Sequence, residues 1–510
     1  MEIHIQQGKL EENIKERVFD IAILGVFENE TSDFTSKSLQ AVDSALDGAI
    51  NGLLTRKEFV GKLNTIEIVR PDWKNSHSRL LIVGLGKKDE FSLERLRQVS
   101  GKTAVRTREL NCQEIVTTLH EIRLDNSAKD TAQAVIEGSI LGMYKFVELK
   151  TDSRSEFIDI KKILLLEREM TVLDEIQEGA NIGKTIAEAT NFARNLANMP
   201  GNIATPTYLA TKSEDLAISL GLKYNILDEE IAQEMGLNAY LSVAQGSDQP
   251  AKFIILEYTP QEKEALETIV VIGKAITFDS GGLSLKQKTG MENMKYDKSG
   301  GCTVIGLIHA VSHLQLPIHL FALIPATENL PGGKAIKPGD VIKSFSGKTI
   351  EVVNTDAEGR LVMADALTYA KKYSPTLVID IATLTGAIRI TLGAHASGLM
   401  ANKEAENFKK LLTSAGEKTG ERVWELPLWK EYSTHLRSDF ADLKNVGGRE
   451  GAAIIAAVFL SEFVEKGTPW IHLDIAGTAR SDKKKAYIPK GASGVGVRLL
   501  VQFIRDLIGN

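Results

Sequence analysis

The sequence predicts an α/β protein: a small N-terminal α/β domain joined by a long helix to a C-terminal α/β/α domain on a mainly parallel central sheet. Three observations predict it. Short apolar runs of strand character alternate with helically spaced segments along most of the chain, the pattern of crossover-connected parallel strands. At 510 residues the chain exceeds what one hydrophobic core usually supports, so two domains are expected. From residue 170 to 198 the pattern is one long helix with few breakers, a bridge between them. The expected boundaries are therefore 1–170 for a supporting or assembly domain, 171–198 for the linker helix and 199–510 for the C-terminal domain.

In the first domain, residues 19–26 form a buried-strand candidate and 38–54 have helical spacing. A second apolar strand at 80–85 leads into a charged helix at 92–108. A strand at 114–119, a helix at 130–145 and a strand at 163–167 follow. The turn Gly84-Leu85-Gly86 lacks the third glycine of a dinucleotide loop. Gly183-Lys184-Thr185 resembles the tail of a phosphate loop, but Glu178 stands where that loop needs glycine, and the segment lies inside a helix. Neither reads as a nucleotide site. In the second domain, Thr205-Pro206 starts a helix; strands are expected at 253–258, 269–272, 318–324, 350–353, 377–381 and 470–475, with helices at 299–314 and 452–466. Ligands of such sheets sit beyond the carboxyl ends of the strands.

Composition narrows the function classes. Hydrophobic residues at 43% and charged residues at 25% are ordinary for a globular protein. The net charge of -6 gives no broad attraction to nucleic acid or anionic membranes, and Lys483-Lys484-Lys485 reads as a solvated loop. Cys112 and Cys302 cannot build a disulfide framework and fit a reducing compartment. The first twenty residues lack an apolar signal core, and no apolar run is long enough to span a bilayer. A cytoplasmic protein without membrane partners is expected.

Chemistry concentrates in three loops. Asn354-Thr355-Asp356-Ala357-Glu358-Gly359-Arg360-Leu361 packs two carboxylates and a guanidinium into a strand-to-helix turn. Either acid alone reads as a helix-start residue. Upstream, Lys274-Ala275-Ile276-Thr277-Phe278-Asp279-Ser280-Gly281-Gly282 follows another apolar strand and leads to Lys286, and Asp297 lies in a loop opening a helix. If these loops converge, Asp279, Asp297, Asp356 and Glu358 share one pocket, where four carboxylates repel and divalent cations are the usual remedy. Oxygen-rich ligation suits Mg²⁺ or Mn²⁺, and Zn²⁺ also accepts carboxylates. The competing reading is four separate surface acids. His309 and His313 have i,i+4 spacing without the glutamate of a zinc-protease motif and read as structural.

The segments 274–286, 294–300 and 354–361 resemble the diagnostic blocks of the leucyl aminopeptidase (cytosol aminopeptidase) family. Further similar blocks lie at 198–206, 328–333, 470–479 and 491–499. The likeness runs from about residue 195 to the C-terminus; the N-terminal part resembles the family only in size and α/β character.

The resemblance implies two divalent ions per subunit, Mn²⁺ or Zn²⁺, with Mg²⁺ and Co²⁺ as further options. One would be held by Lys274, Asp279, Asp297 and Glu358, the other by Asp279, Asp356 and Glu358. Lys274 would bind as a neutral amine, whereas from spacing alone it is an ordinary ion-pair partner. A water between two cations becomes a usable hydroxide near neutral pH. It would attack the first peptide bond of a peptide with a free N-terminus. Lys286 would stabilise the oxyanion and Arg360 would hold a bicarbonate that shuttles protons.

The resemblance also sets Met294, Asn354, Thr383, Leu384, Gly386, Ala476 and Ala479 around the substrate side chain, favouring Leu and other apolar residues. Core packing is an equally good reading of each. A homohexamer is implied too. Some relatives also act as DNA-bound accessory proteins, a role the acidic balance does not favour; a two-metal phosphohydrolase is the remaining alternative. The chain departs from the family pattern at Ala275, where Gly is common, at Lys298, where Met is common, and in the runs 299–302 and 451–454.

Overall fold

A computed structural model describes residues 1–16, 19–31, 33–70, 79–151, 159–261 and 264–509. The chain forms two compact units, residues 1–188 with 483–489, and residues 189–482 with 490–510. The division falls within the helix Leu173–Asn198. Among the described residues no helix is long and apolar enough to cross a membrane.

The first unit is built on the strands β1 (Glu2–Gln7), β2 (Ile21–Val26), β3 (Ile66–Val69), β4 (Arg79–Gly84), β5 (Glu114–Thr117) and β6 (Lys162–Glu167). They lie in the order β1-β6-β5-β2-β4-β3, and only β3 runs antiparallel to its neighbour. In β2, Ile21 and Ile23 face one apolar cluster while Ala22, Leu24 and Val26 face another, so this strand is covered on both sides. The expected helix at 38–54 is two helices, Lys37–Ala45 and Ala49–Thr55. Asp47 and Gly48 both turn to positive φ, and the Asp43 carboxylate accepts the N–H groups of Ile50 and Asn51, starting the second helix. Strand β1 has a largely exposed pattern and carries little apolar signal.

The second unit contains β7 (Lys223–Leu227), β8 (Lys252–Tyr258), β9 (Thr268–Gly273), β10 (Ala275–Asp279), β11 (His319–Asn329), β12 (Val341–Lys343), β13 (Thr349–Glu351), β14 (Leu377–Ala382), β15 (Ser397–Ala401), β16 (Val423–Glu425), β17 (Leu443–Lys444) and β18 (Trp470–Asp474). The main sheet has the order β16-β15-β18-β14-β9-β11-β8-β7, with β10 pairing against the far end of β11. Its centre, β18-β14-β9-β11, is parallel, while β8 and β15 run against their inner neighbours. The mainly parallel sheet therefore forms as expected. One assignment is corrected: the strand expected at 350–353 is not in this sheet. It is the short β13, which pairs with β12 and β17 in a separate three-stranded sheet. A local turn decides it: Ser344 donates to the Lys348 carbonyl and Gly347 takes positive φ, closing a hairpin before any distant partner is needed. Strand β11 runs five residues beyond the expected end at 324, through Pro325, because β10 supplies a second parallel partner there.

One contact sets how closely the helix Ser299–His313 approaches the sheet. A Cβ on Gly300 would lie 2.2 Å from the Ile381 carbonyl oxygen, and one on Gly301 would lie 2.7 Å from the Ala275 Cβ. Gly301 also donates its N–H to the Lys274 carbonyl at 2.7 Å. The two departures at 275 and 301 thus compensate: the Ala275 methyl takes space that a side chain at 301 would need. Gly301→Ala is expected to destabilise the protein by about 1–3 kcal/mol through overpacking. A Cβ at 301 would also meet Ile324 Cγ2 at 2.9 Å, so adding Ala275→Gly should recover part of that loss in a denaturant double-mutant cycle; independent, additive effects would disprove the coupling.

Candidate metal centre and substrate cavity

Segments at the carboxyl ends of β9, β10, β14 and β18 line one cavity of about 310 Å³ in the second unit. Lys274 follows β9 directly, Asp279 ends β10, Thr383 follows β14, and Asp297 lies in the last turn of the 3₁₀ segment Met291–Lys298. All four line the cavity, together with Lys286, Met294, Asp356 and Glu358. The three loops singled out in the sequence do converge. A larger hollow of about 610 Å³, lined by 219–223, 257–261 and 312–315, contains none of these groups.

Lys274 Nζ lies 2.7 Å from Asp297 Oδ2 and donates to Glu358 Oε1 at 2.8 Å and to the Thr383 carbonyl at 3.1 Å. Asp297 Oδ2 makes no well-directed hydrogen bond among the described residues, so its contact with Lys274 is chiefly coulombic. Its other oxygen accepts the Thr383 hydroxyl at 2.8 Å. Lys286 Nζ lies 2.6 Å from Asp279 Oδ2 and also pairs with Asp356. Carboxylate oxygens of Asp279, Asp356 and Glu358 come within 4.8 Å of one another. Asp297 joins them through Lys274.

Tight turns hold these groups. Gly281 takes a φ of 88°, and a Cβ there would meet Asp356 Oδ1 at 2.7 Å. The Thr355 hydroxyl donates to the Gly281 carbonyl and accepts the Ser284 N–H, tying the two acidic loops together. Asn354 accepts the Asp356 N–H through its side chain. Asn354 and Arg360 are not part of the cavity wall. Arg360 is buried in the first turn of the helix Gly359–Ala370; Nη1 donates to the Asn445 carbonyl at 2.7 Å, and Nε has no hydrogen-bond partner among the described residues.

The electrostatics fit a cation. Four carboxylates face the two ammonium groups of Lys274 and Lys286, leaving an excess of negative charge. Burial, then Glu358 and Asp297, pushes Asp279 up to about 8 against the pull of Lys286 and Lys274. Burial likewise raises Asp297 and Asp356. Burial also opposes ionisation of Glu358, but Lys274 and then Lys286 hold it below its ordinary value. Lys274 would lose its ammonium to burial alone; Asp297, Glu358 and Asp279 instead hold it well above the usual lysine range. Divalent cations among these oxygens would relieve the repulsion, and the donor set is the hard, oxygen-rich kind that holds them. Beside the cluster, Lys298 is buried with Nζ donating to the carbonyls of Met199 and Lys295, and burial pushes it down to about 8.

Two residues with no role assigned from the sequence organise the site. Asn329, at the end of β11, donates from Nδ2 to Asp279 Oδ1 at 2.9 Å, to the Thr355 carbonyl at 3.0 Å and to Glu358 Oε2 at 3.4 Å. Asp474, at the end of β18, accepts the Leu384 and Ala476 N–H groups and the Thr385 hydroxyl, fixing the wall of the cavity. The available signal was position: polar residues closing parallel strands, each within a block already noted. Asn329→Ala is expected to weaken divalent-metal binding about 10–100-fold, as loss of groups orienting metal ligands does. Competition against a chromogenic chelator measures this directly, and an unchanged affinity would remove Asn329 from the centre.

Comparison with known proteins identifies the family. The family model described as cytosol aminopeptidase family, catalytic domain, matches residues 191–501, and that family's N-terminal domain model matches residues 23–153. The family match therefore reaches the first domain, which the sequence blocks had linked to it only by size and α/β character. A probable cytosol aminopeptidase of Geotalea uraniireducens is 46% identical over 475 residues, 93% of this chain and 94% of its own length. One from Roseiflexus castenholzii is 42% identical over 490 residues, 96% of each chain. Among solved structures, a mutant of tomato leucine aminopeptidase superposes with a TM-score of 0.86 at 29% identity, covering 99% of this chain and 96% of that one. The bottromycin maturation enzyme BotP in complex with Mn superposes at 0.84 with 30% identity, covering 96% of this chain and 100% of that one. With both domain models matched in order and relatives aligned nearly end to end, the chain belongs to the cytosol aminopeptidase family and is a metal-dependent aminopeptidase.

Proposed function

We propose that the protein removes Leu and other apolar residues from the free N-terminus of peptides, with two divalent ions held by Lys274, Asp279, Asp297, Asp356 and Glu358. The observation that carries this reading is the convergence of Asp279, Asp356 and Glu358 oxygens within 4.8 Å, in the cavity that also holds Lys286. Mn²⁺ or Zn²⁺ is the working pair, with Mg²⁺ and Co²⁺ as substitutes; the Mn-bound relative supports Mn²⁺. When bound, such ions supply Lewis acidity at the scissile carbonyl and acidify a water.

The remaining work belongs to the chain itself. Burial alone would favour a neutral Lys286 amine, but Asp279, Glu358 and Asp356 hold its ammonium well above the ordinary lysine range. That fixed charge can stabilise the oxyanion of the tetrahedral intermediate without reorganisation. Arg360, whose buried Nε has no hydrogen-bond partner among the described residues, would hold a bicarbonate, which would supply a proton carrier. Thr383 orients Asp297 by hydrogen bonding, and Met294, Leu384, Gly386, Ala476 and Ala479 offer apolar surface to the side chain. Asn354 acts by shaping the Asp356 turn. The domain comprising residues 1–170 serves support and assembly, 171–198 links it to the catalytic domain at 199–510, and the enzyme works as a cytoplasmic homohexamer.

Chelation is expected to abolish Leu-p-nitroanilide hydrolysis, and Mn²⁺ or Zn²⁺ to restore it; turnover indifferent to chelator would overturn the reading. Glu358→Ala removes an oxygen donor from the centre of the acid cluster and should eliminate turnover. Lys286→Met should lower kcat by about 10²–10³ with a smaller effect on KM, the signature of lost transition-state stabilisation.

A further inference from the structure

Two charged groups in the cavity wall have no part in the reaction described above. Arg389 and Arg480 both line the cavity. They lie on the same two segments as the side-chain pocket: Arg389 one turn after Gly386 on the helix Gly386–Leu392, and Arg480 directly after Ala479. Gly386, Ala476 and Ala479 are small residues of the same wall, and a Cβ on Gly386 would meet nothing within 4 Å. An apolar side chain offers neither guanidinium an acceptor, because a guanidinium can only donate hydrogen bonds.

The arginines already meet on one carboxylate. Arg389 Nη2 lies 3.0 Å from Asp482 Oδ2, and Arg480 Nη1 pairs with Asp482 Oδ1. Two guanidiniums against one carboxylate leave a surplus positive charge at this end of the cavity. Asp482 is largely exposed, whereas the Arg480 side chain is only 20% exposed, so the cation nearer the interior is the less hydrated one. Guanidinium forks recognise carboxylates through paired, charge-assisted hydrogen bonds.

We infer that Arg389 and Arg480 form a carboxylate-recognition subsite, so that the pocket also accepts peptides whose N-terminal residue carries an acidic side chain. Glutamate suits it: its methylenes lie along the small apolar wall and its carboxylate reaches the arginines. The inference rests on the aminopeptidase reading and extends its substrate class. A downstream carboxylate, such as the C-terminus of a dipeptide, presents the same chemistry, but the arginines belong to the segments assigned to the N-terminal side chain.

The test is the ratio of kcat/KM for Glu-p-nitroanilide to that for the near-isosteric Gln-p-nitroanilide, measured on the metal-loaded enzyme beside Leu-p-nitroanilide. A ratio of about ten is expected, the lower end for a hydrogen bond to a charged group. Arg389→Gln with Arg480→Gln should bring the ratio to about one or below, and Asp482→Asn should raise it by freeing both guanidiniums. A wild-type ratio at or below one, or one that the arginine substitutions leave unchanged, overturns the subsite. Paired assays of Leu-Gly and Leu-Gly-amide separate the two sources: an arginine-dependent preference for the free carboxylate there, without a Glu preference, also overturns the side-chain assignment. Loss of Leu-p-nitroanilide turnover in the wild type would instead defeat the aminopeptidase reading itself.

Discussion

Three buried carboxylates, Asp279, Asp297 and Glu358, beside the partly exposed Asp356 are the constraint on which the second domain depends. Asp279 and Glu358 are each 2% exposed and share a single amide nitrogen on Asn329. Like charges about 4 Å apart repel by roughly 4 kcal/mol at an effective dielectric constant near 20. Such a cluster persists only when cations face it and the backbone around it is too well packed to relax. Lys274 and Lys286 supply fixed cations. The packing comes from glycines at 273, 281, 300 and 301, whose missing side chains let strand ends and helix starts approach within ordinary backbone contact.

The cavity has two ends with different supports. The acid end hangs on β9, β10 and β11, with Asn329 and Thr355 linking their loops. The side-chain end hangs on the segments after β14 and β18, locked to one another by Asp474. Thr383 is the joint, bonded both to Lys274 and to Asp297. Residues farther along those segments, Arg389 and Arg480 among them, make none of these bonds to the acids. The pairing of Ala275 with Gly301 shows the opposite case at the acid end, where one methyl requires the absence of another.

Much of this was legible in the sequence. The alternation of strand and helix patterns marked a parallel sheet, and loops rich in Gly, Asp and Lys after apolar strands marked where it would carry chemistry. Errors arose where local and distant pairing compete: 350–353 reads as a central strand by composition, yet the hairpin turn at 344–348 claims it for a small side sheet. The break at Asp47 and Gly48 was hidden because helical spacing resumes in phase beyond it. Asn329 and Asp474 went without roles because a hydrogen-bonding hub has no periodicity; its partners lie up to 90 residues away in the chain.

By itself, then, the sequence determined the α/β class and the three loops, rich in Asp, Glu and Lys, that follow apolar runs; that Lys274, Asp279, Lys286, Asp297, Asp356 and Glu358 form one set was implied by the family resemblance. Residue type and strand-to-loop position are local properties, so they can be read along the chain. Tertiary structure alone decided that Lys274 faces Asp297 and Glu358 while Lys286 faces Asp279 and Asp356. It also decided that Arg360 is buried with Nη1 on the Asn445 carbonyl, and that Arg389 and Arg480 share one carboxylate. Those pairings depend on distances between elements, which are set by sheet register and by how closely glycine lets backbones meet.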